Sequence, residues 1–128
     1  MKKKTRTITV KEKTYIYTLK DSYQNQQWEV HLKITLQNQK NDALVFHFTT
    51  KDNVIAGCPL LTGITLYHRI QKEEVVYNLN HPVRVKELIE YGLVHQWTGE
   101  QTIVHEDGIT VLNHIGYDSD VLRPLYKE

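Results

Sequence analysis

The first half of the chain alternates regularly between apolar and polar residues. In residues 28–36 every even position is apolar and every odd position is polar. This two-residue period predicts a β-strand with one face on a core and the other in water. The same period recurs in five further runs, at residues 8–10, 15–19, 43–50, 63–71 and 74–79, with His68 in register with the apolar positions.

Short polar segments separate these runs, at residues 11–13, 37–42 and 71–73. Strands with one wet face are typical of antiparallel sheets, and buried parallel sheets have more continuous apolar runs. No helical pattern separates the strands, so we expect no βαβ crossover. The pattern predicts an antiparallel sheet of about five or six strands.

The period changes to that of a helix at residues 82–97. Its apolar stripe has spacings of three and four and contains Val85, Leu88, Ile89, Gly92, Leu93, Gln96 and Trp97. Asn80 or His81 precedes it as a cap, Pro82 suits the first turn, and Thr98-Gly99 suits the end. We expect this helix to cover the apolar face of the sheet, which makes the fold α+β.

Residues 102–115 admit two interpretations. In the first, residues 106–108 form a hairpin turn between two strands, which the β-branched residues after the turn favour. In the second, a short strand over residues 102–105 precedes a helix, Gly108–Ile115, capped by Asp107 and ended by Gly116. The helical spacing of the apolar residues leads us to favour the second, a short additional helix.

The chain has 128 residues, 40% of them hydrophobic and 24% charged, which predicts one domain spanning residues 1–128. Cys58 is the single cysteine, so no intrachain disulfide can form. The basic N-terminus is not followed by an apolar stretch, and no run of 18 apolar residues occurs. We therefore expect a soluble cytoplasmic protein.

Charge is distributed unevenly along the chain. Residues 1–40 contain nine Lys or Arg and three Asp or Glu, whereas residues 86–128 contain three and eight. This asymmetry predicts either a polarised surface that meets a charged partner or two ends that attract each other in the fold.

The break between strands at residues 51–62 is unusually apolar. It contains Val54, Ile55, Leu60 and Leu61 around Gly57-Cys58-Pro59. Loops generally lie on the surface, so such a segment must either plug the core or present an interface.

No established catalytic, metal-binding or phosphate-binding motif occurs in the sequence. Cys58 has no local signature that links it to a base. None of the seven histidines has the short paired spacing of a metal site, although His31 and His47 lie on the polar faces of strands that could be neighbours. We predict no catalytic residue, no metal and no cofactor.

The chain resembles small single-domain bacterial proteins of the immunity or accessory type. The resemblance lies in the order of sheet and then helix and in residues 85–93 followed by Trp97. The resemblance implies a protein-binding module, and it assigns no functional residue. On that interpretation, an acidic surface and the apolar loop would bind a partner, which we expect to be a basic protein. The predicted partner-binding residues are Val54, Ile55, Leu60, Leu61, Glu87, Glu90, Glu106 and Asp107.

Two alternatives stay open. The first is a nucleic-acid-binding accessory protein that uses its basic N-terminal strands, with Tyr15 and Tyr17 nearby. The second is a small enzyme without a recognised motif. The sequence leaves the oligomeric state undetermined.

Overall fold

A computed structural model describes residues 3–37, 39–51, 58–95, 97 and 103–123. The strands are β1 Lys3–Val10, β2 Lys13–Gln24, β3 Gln27–Leu36, β4 Gln39–Lys51, β5 Ile64–His68, β6 Glu73–Tyr77 and β7 Ile103–Asp107. The helices are α1 Pro59–Thr62, α2 Pro82–Val94, α3 Gly108–Ile115 and a one-turn 3-10 helix, Ser119–Leu122. The fold is α+β, as predicted. None of the described helices is long and apolar enough to cross a membrane.

The main sheet has five strands in the order β1-β2-β3-β4-β7. Strands β1 to β4 form an antiparallel meander, whereas β7 pairs parallel to β4. Lys11-Glu12 and Asn25-Gln26 form the two-residue turns on either side of β2, and all four residues have positive φ. Such turns match the natural twist of a hairpin, and the predicted turn at residues 11–13 is confirmed.

Strands β5 and β6 differ from the prediction because they form a separate two-stranded sheet. Hydrogen bonds hold this hairpin to the last turn of α3 and to the chain that follows it. Arg69 donates to the Asn113 carbonyl at 2.7 Å and to the Asp118 carboxylate at 2.7 Å, and a β-bridge joins His68 to Tyr117.

The fifth strand of the main sheet is instead β7, and its parallel pairing requires the chain to cross over from β4. Helix α2 lies within this crossover. The expectation that no crossover occurs was therefore wrong. Periodicity reports which face of a strand is buried, and it carries no information about which strands become neighbours.

The inner face of the main sheet carries the core, which helices α2 and α3 cover. Its apolar residues are Tyr15, Tyr17, Leu19, Val30, Leu32, Ile34, Leu44, Phe46 and Phe48, each at most 6% exposed. Helix α2 packs so closely on β4 that a Cβ atom at Gly92 would lie 2.3 Å from Cδ2 of Leu44. The prediction that this helix packs on the apolar face is confirmed. Helix α3 covers part of the same face, since a Cβ atom at Gly108 would lie 2.2 Å from Cε1 of Phe48 on β4.

Helix α2 ends at Val94, three residues before the predicted end. Trp97 is nevertheless buried as expected, because the chain turns back after the helix and brings its ring to 5.7 Å from that of Tyr15, measured between centroids. The predicted stop at Thr98-Gly99 lies outside the described residues.

Helix α3 confirms the second interpretation of the chain end, and the hairpin interpretation was wrong. Asp107 caps the helix, and its Oδ1 accepts a hydrogen bond from the Ile109 amide at 3.1 Å. Gly116 follows the helix with a φ of 132°, a conformation that glycine adopts readily. These end signals are local in sequence, so the competing β-branched residues did not override them.

Candidate functional site

The face of the main sheet opposite α2 carries a groove of about 740 Å³. Its lining residues come from β1, β2, β3, β4 and β7: Thr5, Ile16, Thr18, Lys20, His31, Lys33, Thr35, Val45, His47, Ile103 and His105. We call this surface the outer groove. Among the described residues that line it, none is Asp or Glu.

Strand register brings these side chains into rows across the sheet. Lys20 is opposite His31, and His31 is opposite His47. In the next row, Lys33 lies beside Val45, which is opposite His105 on the parallel strand β7. Facing residues on paired strands lie close enough for their side chains to interact. Alternation therefore places polar side chains of these strands at the outer groove, together with the apolar Ile16, Val45 and Ile103, and places the other apolar side chains in the core.

Three imidazoles in contact form the most distinctive feature of the outer groove, and we call them the histidine row: His31, His47 and His105. The rings of His31 and His47 meet edge to face with centroids 4.6 Å apart. His47 Nε2 lies 2.8 Å from His105 Nδ1, so these two nitrogens share a hydrogen bond in which one ring donates and the other accepts.

Burial lowers the pKa of His47, and the neighbouring His31 and His105 lower it further. The carboxylates of Glu29 and Asp107 act in the opposite direction. The lowered pKa favours the neutral ring, which offers a nitrogen lone pair as a hydrogen-bond acceptor, a base or a metal ligand. Within the described ranges, however, no group of three or more His, Cys, Asp or Glu residues is arranged to hold a metal ion.

The titration of His47 provides a direct test of the histidine row. We expect NMR to give His47 a pKa below the ordinary value of 6.5 and expect that pKa to rise in His31→Ala, because removing a neighbouring positive charge favours protonation. Because the pKa of His47 is lower in the folded chain than in the unfolded chain, the unfolded chain binds a proton at this residue more readily. Protonation of His47 therefore lowers the free energy of unfolding as the pH falls through 6.5.

His114, an exposed residue of α3, is the control for this titration, and replacing it with alanine should leave the pKa of His47 unchanged. A pKa of His47 that stays the same in His31→Ala would show that the two rings do not interact in solution.

A second, smaller pocket of about 350 Å³ adjoins the outer groove and shares His47 and His105 with it. Asp107 and Arg123 also line it. The Asp107 carboxylate also accepts a hydrogen bond from the Thr110 hydroxyl at 3.2 Å and forms an ion pair with Arg123 at 3.7 Å. The His47–His105 pair thus lies at the junction of a cationic groove and a pocket that contains a carboxylate.

The residues predicted in the apolar loop are only partly described. Val54 and Ile55 lie outside the described residues. Leu60 is 0% exposed within the core, and Leu61 is partly buried against it. The positions of Leu60 and Leu61 favour the core plug over the interface.

The predicted acidic residues differ in their burial and in their partners. Glu87 lies in a partly buried cluster, where its carboxylate accepts hydrogen bonds from the Tyr117 hydroxyl at 2.9 and 3.0 Å and from Arg84 at 3.3 Å. Burial raises the pKa of Glu87, while Arg84 and Tyr117 oppose that shift. Glu90 and Glu106 are half-buried, and Asp107 caps α3.

Cys58, Tyr15 and Tyr17 lie in the core. Burial raises the pKa of the Cys58 thiol, which disfavours the reactive thiolate. Tyr15 and Tyr17 are 1% and 2% exposed, so neither ring is available to stack on a base. The basic residues Lys2, Lys3 and Lys4 lie at positions whose side chains are outside the described set.

Within the histidine row, only the contact between His31 and His47 was predictable from the sequence. His31 and His47 both occupy polar positions of strands that could be neighbours, so their pairing was conceivable from the sequence. The contact with His105 was not predictable, because strand β7 joins the sheet by a parallel pairing that no local pattern encodes.

Comparison of the chain with protein-family models, with curated proteins and with solved structures finds no match.

Proposed function

We propose that this protein is a cytoplasmic protein-binding module of the bacterial accessory or immunity type, and that its outer groove binds an acidic segment of a partner protein. The observation that carries the proposal is a concave, cationic groove on the face of the sheet that lies opposite α2. Its volume of about 740 Å³ falls in the ordinary range of binding sites, about 300–1,000 Å³.

The chemistry of the groove favours a partner with carboxylates flanking small apolar side chains. Lys20 and Lys33 provide the positive charge, and the hydroxyls of Thr18 and Thr35 add hydrogen-bonding groups. Val45 is 8% exposed and forms an apolar floor. Charge complementarity of this kind speeds encounter and selects partners.

An acidic partner differs from the basic one expected from the sequence. That expectation rested on the acidic last third of the chain. Glu87 and Asp107 are engaged within the protein by Tyr117, Arg84 and the start of α3, which leaves them less available to bind.

Nucleic acid is the second candidate, because Lys20 and Lys33 could also contact phosphates. Single-strand binding usually adds stacking on aromatic rings. Among the described residues that line the groove, none is Phe, Tyr or Trp, and this favours a protein partner. A gel shift at low salt, where phosphate contacts are strongest, decides between the two candidates: retardation of single-stranded RNA or DNA would favour nucleic acid.

A charge-reversal pair tests the proposal. Lys33→Glu changes the outer groove, and Lys86→Glu makes the same charge change at an exposed position on α2. We expect quantitative affinity capture from the native host to yield a stoichiometric acidic protein with the wild type and with Lys86→Glu, and about tenfold less of it with Lys33→Glu.

Equal loss of that protein from both variants would indicate a non-specific charge effect. Equal retention in both variants, or no stoichiometric protein partner for the wild type, would count against the outer groove as the binding surface.

A further inference from the structure

We propose that His47 and His105 form a chelating site for a divalent transition-metal ion such as Zn²⁺, Ni²⁺ or Cu²⁺. These two residues lie on neighbouring parallel strands, β4 and β7, and both side chains face the outer groove. The proposal does not depend on the partner-binding role, since metal binding needs only this pair of imidazoles.

The spacing of the two nitrogens carries the proposal. Two nitrogens bound to one metal at about 2.0–2.1 Å, with an angle between about 90° and 110°, lie about 2.9–3.4 Å apart. His47 Nε2 and His105 Nδ1 are 2.8 Å apart, close to that separation. Binding an ion breaks the hydrogen bond between the rings and turns each nitrogen's lone pair by about 35–45° from the line that joins the two nitrogens, so that both lone pairs meet at the ion. The strands fix the two backbones, which makes the site partly preorganised.

The hydrogen bond between the rings supplies one of the two lone pairs that ligation needs. Imidazole binds metal in its neutral form, and the ring that accepts this hydrogen bond presents a nitrogen lone pair toward its neighbour. One ring must change tautomer so that both nitrogens present lone pairs to the ion, and each ring keeps its proton on the other nitrogen. Two neutral rings therefore bind the ion without net proton release.

The charges around the pair oppose one another. Lys20 and Lys33 of the groove repel a cation, whereas the Asp107 carboxylate, opposite His47 in the strand register, attracts it. Arg123 reduces that attraction because it pairs with Asp107 at 3.7 Å. Two protein ligands leave coordination positions open, and the pair adjoins both the groove and the smaller pocket, so water or an anionic group can complete the shell.

Calorimetry on tag-free protein stripped with a chelator tests the site, with ZnCl₂ as the only titrant. We expect one Zn²⁺ per chain, and we expect His105→Ala to weaken binding by about tenfold or more, because it removes one of two ligands. The exposed His114 of α3 provides the matched control, since His114→Ala removes an imidazole of the same kind away from the groove and should bind as the wild type does.

NMR of the wild type supplies a readout that needs no variant. Addition of ZnCl₂ should shift the imidazole nitrogens of His47 and His105 before those of His114. The proposal is overturned if His105→Ala binds Zn²⁺ as tightly as the wild type does, if the wild type does not bind, or if His114 shifts first. Loss of the acidic partner in the Lys33→Glu experiment bears on the proposed function alone.

Discussion

Replacing Gly108 with alanine is expected to lower the free energy of unfolding by about 3 kcal/mol, at the upper end of the range for overpacked cores. A Cβ atom at this position would lie 2.2 Å from Cε1 of Phe48 and 2.5 Å from two further atoms of the same ring. Phe48 is 1% exposed, so the flat ring has little room to move. The gain in helix propensity, about 1 kcal/mol at most, does not offset this clash.

Gly92→Ala is the matched control, and urea unfolding of both variants provides the measurement. A Cβ atom at Gly92 would lie 2.3 Å from Cδ2 of Leu44, and the next nearest atoms would lie at 3.6 Å. The terminal methyl group of Leu44 can move away by rotation of the side chain. We expect a smaller loss than for Gly108→Ala. If Gly108→Ala is as stable as the wild type, α3 does not pack against β4 in the way described.

Leu60→Ala is the second change expected to have a large effect, a loss of about 3 kcal/mol in the free energy of unfolding. Leu60 is 0% exposed, and the cavity left by its side chain would lie among core residues. Leu61→Ala should cost less because Leu61 is only partly buried. Thermal and urea unfolding give the stability, and size-exclusion chromatography gives the oligomeric state.

The same pair of variants separates the two interpretations of the apolar loop. A plug predicts that Leu60→Ala destabilises the fold without changing the oligomeric state. If Leu60→Ala keeps the wild-type stability and abolishes self-association, the segment is an interface.

Sequence patterns predicted elements whose signals are local. Helix α3 was predicted at its observed bounds because Asp107, Gly116 and the apolar spacing between them all lie within ten residues. The turn at residues 11–13 was predicted from its short polar sequence between two alternating runs. Its conformation was not predicted, because Lys11 and Glu12 both have positive φ, which such turns usually assign to Gly, Asn or Asp.

Pairings between distant segments were not predictable in the same way. The alternation in β5 and β6 indicated half-buried strands. It could not show that Arg69 would hold them against the end of α3 and the chain that follows. Nor could it show that β7 would add to β4. Which strands become neighbours depends on how the whole core packs.

The candidate site follows from those distant pairings. The alternation of apolar and polar positions predicted that His31 and His47 lie on the polar faces of their strands. The antiparallel pairing of β3 and β4 places them opposite each other. The third imidazole, His105, lies on β7 and contacts His47, which extends the cross-strand pair to the histidine row. The acidic residues selected from net charge were less informative, because total charge does not show that Glu87 is bound by Tyr117.

Photo-crosslinking from the outer groove tests the central claim most directly. The photoreactive residue p-benzoylphenylalanine would replace Thr18, which lines the groove, and in a second protein Val76, which is 59% exposed on the β5–β6 hairpin. In the native host, the account predicts that an acidic protein crosslinks to position 18 and not to position 76. Crosslinking of that partner from position 76 alone would contradict it.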